Sequence, residues 1–566
     1  GGALYNNRGD PTISNSTFAS NQAFGDGGAI ANVAESSPQI ENTIIWGNTA
    51  NGFGEQISND GSNVAPTIAH SILEGGISAI DENNESATTG NGSVLDANPL
   101  FVDAANGNVQ LNWASPAIDA GDAALLPPDV ADLNGNENTS EALPQDLAGA
   151  TRTQGLTVDL GAYEGGVEPG GVSTLKVDAS KTTGGTSGGT WGNAYGTLQA
   201  ALAAARNERA ASGGLSFGEV RVAAGTYYPD EGPGVTAGNP DASFLITGNE
   251  DGLKLRGGYP SGGGTQDPDA NVTVLSGDID KNDPGVNANG IVEDADPNED
   301  FTTENLDGTN AHHVLFLDGT TSGDISTATV IEGLTVTAGL ADGSSVESDG
   351  GGLYCDGTNG NACSPTLQDI AFSGNRASGF GGAIYNDGDA GTSSPTITGA
   401  SFSGNEASQG GAIYNWGRNS GVSSPQITGT TFINNKSSSN GGALNNDADG
   451  GTSDPLIEDA TFEGNTAGID NVANGGALFN NSGSSPTIRN TRFVNNLASG
   501  RNGGAIYNGG GTPTITSVAF IGNTSTYEFG GGGAIFNAGS GNPEITNATF
   551  TGNEATTGEG GAIRNE

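Results

Sequence analysis

The sequence predicts an all-β fold: a parallel β-helix, in two solenoid segments joined through capping regions and carrying one short Ala-rich capping helix. Three observations predict it. A unit of about 30 residues repeats from residue 350 onward, a Pro precedes a Phe by seven residues in every unit, and turn formers recur at constant phase between them. The Phe positions are Phe372, Phe402, Phe432, Phe462, Phe493, Phe520 and Phe550. Their prolines are Pro365, Pro395, Pro425, Pro455, Pro486, Pro513 and Pro543. Loops elsewhere in the unit vary in length, so the Pro-to-Phe segment is the rigid part of each coil.

Four residues after each Pro stand Asp369, Gly399, Gly429, Asp459, Asn490, Ser517 and Asn547. These residue types tolerate left-handed backbone or bond their own main chain, so a bend is expected at each. The apolar runs around the bend, such as Thr-Ile and Thr-Phe, are too short for helices and read as strands, three per coil. A unit of three short strands cannot bury its apolar side alone. Successive units must therefore stack, each strand pairing in parallel with its equivalent about 4.8 Å away.

Stacking places like residues over like. The seven Phe rings form one expected ladder. Asn375, Asn405, Asn435, Asn465, Asn496, Asn523 and Asn553, each three residues after a Phe, form a second through their amides. The Gly-Gly-Ala-[Ile/Leu] motif, as at 381 to 384, supplies tight approach or positive φ at a corner.

The same pattern opens the chain: Gly1-Gly2-Ala3-Leu4, Pro11, Phe18 and Asn21, then Gly27-Gly28-Ala29-Ile30, Pro38, Ile45 and Asn48. It fades at Pro66 and Leu73, where Gly76 replaces the Asn. The expected organisation is the end of a first β-helix over 1–97, a closing cap over 98–164, a Gly-rich linker over 165–172, an opening cap with first coils over 173–345, and regular repeats over 346–566. Leu198, Ala201, Leu202 and Ala205 lie at i, i+3, i+4 and i+7, which predicts a short amphipathic helix near 197–206 that plugs the opening end. Gly1 to Asn7 and Gly560 to Glu566 occupy the same phase of the unit. That is expected of one stretch of a longer tandem array, or of copies that stack on one another.

Composition narrows the function classes. The 566 residues hold 17 Lys+Arg against 65 Asp+Glu, a formal net charge of −48, with 97 Gly and 33% hydrophobic residues. Charged residues are 14% of the chain, against about 25% in ordinary domains, so basic residues are what is missing. Nucleic acid and anionic membranes are bound through Lys and Arg and are not expected partners. No apolar run approaches the roughly 18 residues that a spanning helix needs.

Gly-Gly-Ala-Ile together with Phe-x-x-Asn (Phe372 to Asn375, Phe402 to Asn405, Phe462 to Asn465, Phe550 to Asn553) resembles the repeats of polymorphic outer-membrane proteins. The resemblance implies surface-displayed right-handed β-helices with adhesive roles. The segment Asn98 to Glu164, with Ser115-Pro116-Ala117-Ile118-Asp119-Ala120-Gly121 and Gly161-Ala162-Tyr163-Glu164, looks like the end of bacterial secreted β-helix proteins that precede variable anchor domains. Val177 to Ser180, Trp191 to Tyr195, Val222 to Tyr228 and Leu275 to Asp280 resemble the opening of such proteins. Adhesins, structural surface proteins and carbohydrate-active enzymes share these repeats, so the resemblance implies an extracellular, secreted or cell-surface chain without choosing among them.

Candidate chemistry is sparse. Cys355 and Cys363 flank the Gly/Asn-rich Asp-Gly-Thr-Asn-Gly-Asn-Ala, which suits an intraloop disulfide in an oxidising compartment; two buried free thiols are the alternative. Asp278, Asp280, Asn282 and Asp283 set hard oxygens close together, with Asp294, Asp296 and Glu299 nearby, as either a Ca²⁺ loop or a solvated acidic loop would. Asp132 to Asn136 is a weaker site of the same kind, and Ca²⁺ is the one cofactor suggested. His312-His313 and the Arg8-Gly9-Asp10 turn read as structural, and Asn547-Ala548-Thr549 offers a sequon at a bend. Cleavage of acidic polysaccharide needs carboxylates converging with Arg, Lys or His. Here the basic residues recur at no fixed phase, so no enzyme is predicted.

The expectation is therefore a non-catalytic extracellular building block, joined end to end by self-association into a fibre or surface appendage. The alternative is an adhesin whose variable loops (387 to 393, 416 to 423, 447 to 453) bind a receptor or glycan. A glycan lyase or hydrolase ranks third.

Overall fold

The computed structural model describes residues 1–566 except 62, 84–87, 105–106, 112–114, 119, 131–132, 134–137, 140, 148–151, 153–157, 165–166, 169–171, 182–187, 213–216, 285, 294–304, 469–472, 482, 527–529 and 540. It is an all-β parallel solenoid with very little helix. The chain divides into two compact units, one chiefly Gly1–Leu175 and the other chiefly Gly218–Glu566 with 176–185 and 194–214.

One coil of the second unit shows why the sequence bends where it does. After Pro395 come a strand Thr396–Thr398, a bend at Gly399 (φ 64°) and a strand Ser401–Ser403. A second corner at Gly404 (φ 57°) leads into strand Glu406–Gln409, and a third at Gly410 (φ 63°) leads into strand Ile413–Trp416. The residues four after each Pro are all left-handed: Asp369, Gly399, Gly429, Asp459, Asn490, Ser517 and Asn547 have φ between 45° and 64°. In the first unit Asn15, Asn42 and His70 hold the same corner at φ 47°, 46° and 43°. His70 is thus a corner residue. At the third corner Gly411 has an additional constraint, because a Cβ there would lie 2.2 Å from the Lys436 carbonyl oxygen and 2.3 Å from that of Gly442.

The coil has four strands. The three expected ones are joined by the two-to-five-residue strand of the Glu406–Gln409 position, whose inward residues are small: Ala377, Ala407, Ser437, Ala467, Ala498 and Ser525 are all buried. Two residues carry no alternation by which a strand could be read in sequence. Among the described residues, the four strand positions build four sheets in the second unit. One runs from Phe217–Ala223 to Glu544–Thr546, and ten-stranded ones run from Gly225–Tyr227 to Thr549–Thr551 and from Phe244–Thr247 to Ile563–Asn565. The fourth, eight-stranded, runs from Leu340–Ala341 to Glu554–Ala555. Pairing is parallel and in register, as in Phe402 with Phe432 and Phe432 with Phe462.

That register builds the core. The Phe rings from Phe372 to Phe550 stack with centroids 4.5 to 5.1 Å apart and planes within 8°. In the adjacent Asn ladder, Asn435 Nδ2 donates to Asn465 Oδ1 (3.0 Å) and to the Phe402 carbonyl (3.0 Å). Its Oδ1 accepts from both the main-chain N (3.1 Å) and Nδ2 (3.0 Å) of Asn405. Every polar atom of this buried amide is satisfied, and the pattern repeats from Asn375 to Asn553. A second Asn ladder runs through the last residue of the Gly-Gly-Ala-Ile-Tyr-Asn motif: Asn386, Asn415, Asn446, Asn480, Asn508, Asn537 and Asn565, at 2.6 to 2.8 Å.

At the opening of this unit the helix is Leu198–Ser212, longer than the expected 197–206 because the polar 207–212 stretch contains no Gly or Pro to stop it. Its Leu198, Ala201, Leu202 and Ala205 face is buried. Arg206 Nε bonds the buried Glu250 carboxylate at 2.7 Å, fixing the helix on the first coil.

In the first unit the closing segment does more than cover a last coil. Gly161 N donates to the Asn42 carbonyl (2.8 Å), Ala162 N to Thr17 Oγ1 (3.0 Å), and Arg152 reaches the Asn15 carbonyl (3.4 Å) while pairing with buried Glu164 (3.3 Å). The segment lies along the bend corner of successive coils, and Leu111, Ala117 and Leu160 pack on Ile44 and Ile72. The linker 165–172 falls largely outside the described residues.

Asn435→Ala removes two donors and two acceptor contacts at once and strands the amide of Asn405. It is expected to cost about 2–4 kcal/mol and to open exchange of the Asn405 amide first. Hydrogen exchange and the denaturant midpoint of the full chain check this, and unchanged protection at Asn405 contradicts it.

Candidate functional site

The inward-facing residues are committed to the ladders, so recognition has to lie on the outward face and in the loops that follow the Ile413–Trp416 position. There the residue after each Ile forms an outward column of aromatic side chains: Phe316, Tyr354, Tyr385 and Tyr414 in register, and further on Phe479, Tyr507 and Phe536. The three tyrosines are buried, with Phe380 and Trp416 packed over them. Tyr385 and Tyr414 lie 5.8 Å apart, and the Phe380 ring stacks on Tyr414 at 4.5 Å.

Two residues further along each strand, the parallel column reads Asp318, Asp356, Asp387, Trp416 and Asp447. The tyrosines donate into it: Tyr354 OH to Asp387 Oδ2 at 2.8 Å, and Tyr414 OH to Asp447 Oδ2 at 2.9 Å. Asp387 and Asp447 hold equivalent places, but their carboxyls are shifted in opposite directions. Burial pushes the Asp387 carboxyl up to about 6. For Asp447 burial pulls the same way, yet Arg418 (2.5 Å) and Tyr414 outweigh it and hold the carboxyl below its ordinary range. The Arg418 guanidinium also lies 3.8 Å from the Trp416 ring centre. This arrangement can bind and orient a ligand. Its carboxylates already accept from hydroxyl, main-chain and guanidinium groups, which places them as anchors.

The cysteines sit inside the coil. Cys355 and Cys363 are both buried and joined by a disulfide, with Cα atoms 5.7 Å apart. Cys355 pairs in register with Asn386, the first member of the second Asn ladder. Cys363 lies level with Ser393, whose hydroxyl donates to the Cys355 carbonyl (3.1 Å).

The acidic loop is held by its own carboxylates. Asp278 accepts from the amides of Asn282 (2.9 Å) and Asp283 (3.3 Å), and Asp280 accepts from Thr309 N (2.8 Å) and Asn282 Nδ2 (3.1 Å). Asp283 accepts from Asp307 N (2.6 Å) and Asn310 Nδ2 (2.8 Å), and burial raises its carboxyl to about 7. Among the described residues no three His, Cys, Asp or Glu side chains are grouped to hold a metal. Asp294, Asp296 and Glu299, and Asp132 with Asn134, Gly135 and Asn136, lie outside the described residues. His313 is buried against Phe316 and Tyr354 with Nδ1 on the Gly350 carbonyl (3.1 Å), while His312 meets Asp241 (3.2 Å) and Asp342 (3.5 Å). In Arg8-Gly9-Asp10 the Gly9 carbonyl accepts from Asn6 and Asp10 accepts from Ser37 N, so the tripeptide is tied down as a turn.

The Chlamydia polymorphic membrane protein (Chlamydia_PMP) repeat model matches residues 369–387, 399–415 and 429–447. These coils carry that repeat. Each match runs from the bend corner, through the Phe and first Asn, into the Ile-Tyr-Asn strand or its Leu-Asn-Asn equivalent. No curated protein and no solved structure matches the chain. The polymorphic membrane protein repeat is a surface-protein repeat and not a known enzyme family, and its family implies an outer-membrane or cell-surface location in general. No described helix is long and apolar enough to cross a membrane.

Two outcomes follow from this geometry. Cys355→Ala with Cys363→Ala frees a short buried loop and is expected to cost about 2.5 kcal/mol, read as a lowered denaturant midpoint that reductant reproduces in the unaltered chain; an unchanged midpoint contradicts it. The second is a pH dependence. Burial raises Asp283 to about 7 and Asp349 and Asp387 to about 6 from 3.8. The folded chain therefore holds protons there that the unfolded chain releases, and the stability this gives is lost as pH rises through the window from about 4 to 7. His313 acts oppositely, since burial lowers it from 6.5 to about 4 and its contribution is lost as pH falls through that range. Three carboxyls outweigh one imidazole, so the melting temperature is expected to rise from about pH 8 to about pH 5; a fall over that range contradicts it.

Proposed function

We propose that the chain is a non-catalytic structural segment of an extracellular β-helical fibre or surface appendage, with units joined end to end by self-association. The observation that supports this most is the uninterrupted register of the second unit, in which strand pairs, Phe rings and two Asn ladders continue from coil to coil. A stack of this kind is extended by adding coils, each new coil repeating the contacts of the last. It resists proteolysis and shear because its strand hydrogen bonds run along the stacking direction. Surface acidity keeps neighbouring stacks apart laterally and leaves axial joining as the favoured contact.

The alternative reading is an adhesin that uses the loops at 387–393, 416–423 and 447–453. The half-buried rim of Trp416 and Arg418 favours it over catalysis, because aromatic and guanidinium surfaces recognise ligands without transforming them. The two readings are compatible in a fibre that also binds.

Electron microscopy and light scattering of the purified 566-residue chain test the first reading. Rods that lengthen with protein concentration are expected. Single-chain particles at every concentration, or turnover of a neutral or acidic glycan that is lost on changing one acidic cluster, would count against it.

A further inference from the structure

The aromatic column on the outer face is broken at one level. In register, Tyr414 is followed by Asn445 and then by Phe479. The strands on either side of the break keep the normal spacing, so the Tyr414 and Phe479 rings are two strand steps apart, about 9.6 Å. Within the intact column successive rings lie 5.0 to 5.8 Å apart. At that level the buried Asn445 side chain stands in place of a ring. A cleft of about 320 Å³ opens beside it, with Tyr414, Trp416, Phe380 and Phe479 among its lining residues, at the small end of the range for ligand pockets.

The polar lining is of one kind. Gln409 accepts from Asn445 Nδ2 at 3.0 Å, Asn440 and Asn481 stand beside them, and Asp447 carries Arg418 at the edge. Asn445 is 1% exposed, yet its Oδ1 has no hydrogen-bond partner, and neither has Arg418 Nε. A buried amide oxygen left unpaired costs free energy, which a ligand donor would recover.

We propose that this break is a binding site for a neutral hexopyranose unit of a glycan. A pyranose has an apolar C–H face that packs on an aromatic ring and a rim of hydroxyls that both donate and accept. It can thus pack on the half-buried Trp416 and Phe479 rings while meeting the amides and Asp447. A purely apolar ring would pack on the same aromatics but leave the amides desolvated. An anionic sugar would meet Asp447 with the one nearby guanidinium already paired to it. The site is independent of end-to-end joining, because every lining residue belongs to four successive coils of one chain.

The test uses the full chain against linear neutral oligosaccharides of glucose, mannose, galactose and N-acetylglucosamine, read by calorimetry and by tryptophan fluorescence. Binding by at least one of the four is expected. Asn445→Tyr completes the aromatic column, so it is expected to fold with an equal or higher melting temperature and to weaken that binding about tenfold or more. Trp416→Ala is expected to weaken it too. The proposal is overturned if none of the four binds at millimolar concentration, if a well-folded Asn445→Tyr binds as before, or if a Tyr- or Trp-containing peptide competes for the site as the preferred ligand.

Discussion

The structure depends on keeping three left-handed corners at constant phase in every coil. When corners align, each strand meets its equivalent in register, and like side chains fall into columns. One residue inserted between Pro395 and Phe402 would turn the Phe away from the core and break the column above and below it. Insertions are therefore confined to the stretches outside that segment, and this is why the steps of 27 to 31 residues between units never alter the spacing of seven. The same constraint separates fold from function. The interior is identical from level to level and cannot be specific, so any specificity has to be written on the outward columns and the loops that close each coil.

Columns also have to end, and their ends are costly. In the second Asn ladder each Nδ2 donates to the next Oδ1, so the first member, Asn386, keeps an Oδ1 without a partner. An Asn one level earlier would only move that orphan, because the position before it is Leu317. The chain places Cys355 there and ties it to Cys363, replacing a hydrogen-bonding pair by a covalent one at the level where apolar strands give way to the polar ladder. The disulfide thus marks a boundary inside the solenoid, between coils that carry the repeated Asn and coils that do not.

Much of this was legible in the sequence because periodic stacking converts spacing directly into contact. The Pro-to-Phe spacing, the corner residues and the Phe and first Asn columns needed only that like residues lie over like. The second Asn ladder was harder to read, although Asn386, Asn415 and Asn508 each follow Gly-Gly-Ala-Ile-Tyr in the sequence. Whether a strand-end Asn points in or out depends on the phase of a corner that sequence leaves open by one residue. The short fourth strand was hidden because two residues show no alternation. Placement of the cap along the bend corner was hidden for another reason: it rests on single main-chain bonds, such as Gly161 to Asn42, that leave no periodic trace. The outward break at Asn445 was invisible as well, since one Asn among many has meaning only against its register neighbours.

In-register stacking also decides where charge can go. Identical charges one strand step apart repel, so a chain of net charge −48 has to keep acids off the sheet columns or answer them with its few basic residues. Arg376 meets Glu406 (3.4 Å), Arg489 meets Glu458 (2.8 Å), and Arg256 meets Glu219 and Glu332 (3.4 and 3.3 Å), each across neighbouring coils. The scarce arginines are thus structural cross-coil partners, which leaves few for an active groove. The run from Asp318 to Asp387 is the place where acids stack without such partners; there burial and the neighbouring acid raise Asp356 and Asp387 instead. Trp416 ends that run, and at the next level Arg418 pairs with Asp447 and holds its carboxyl below the ordinary range. The electrostatic change and the break in the aromatic column fall within the same three coils, so this stretch of outer face departs from both repeats and borders a cleft.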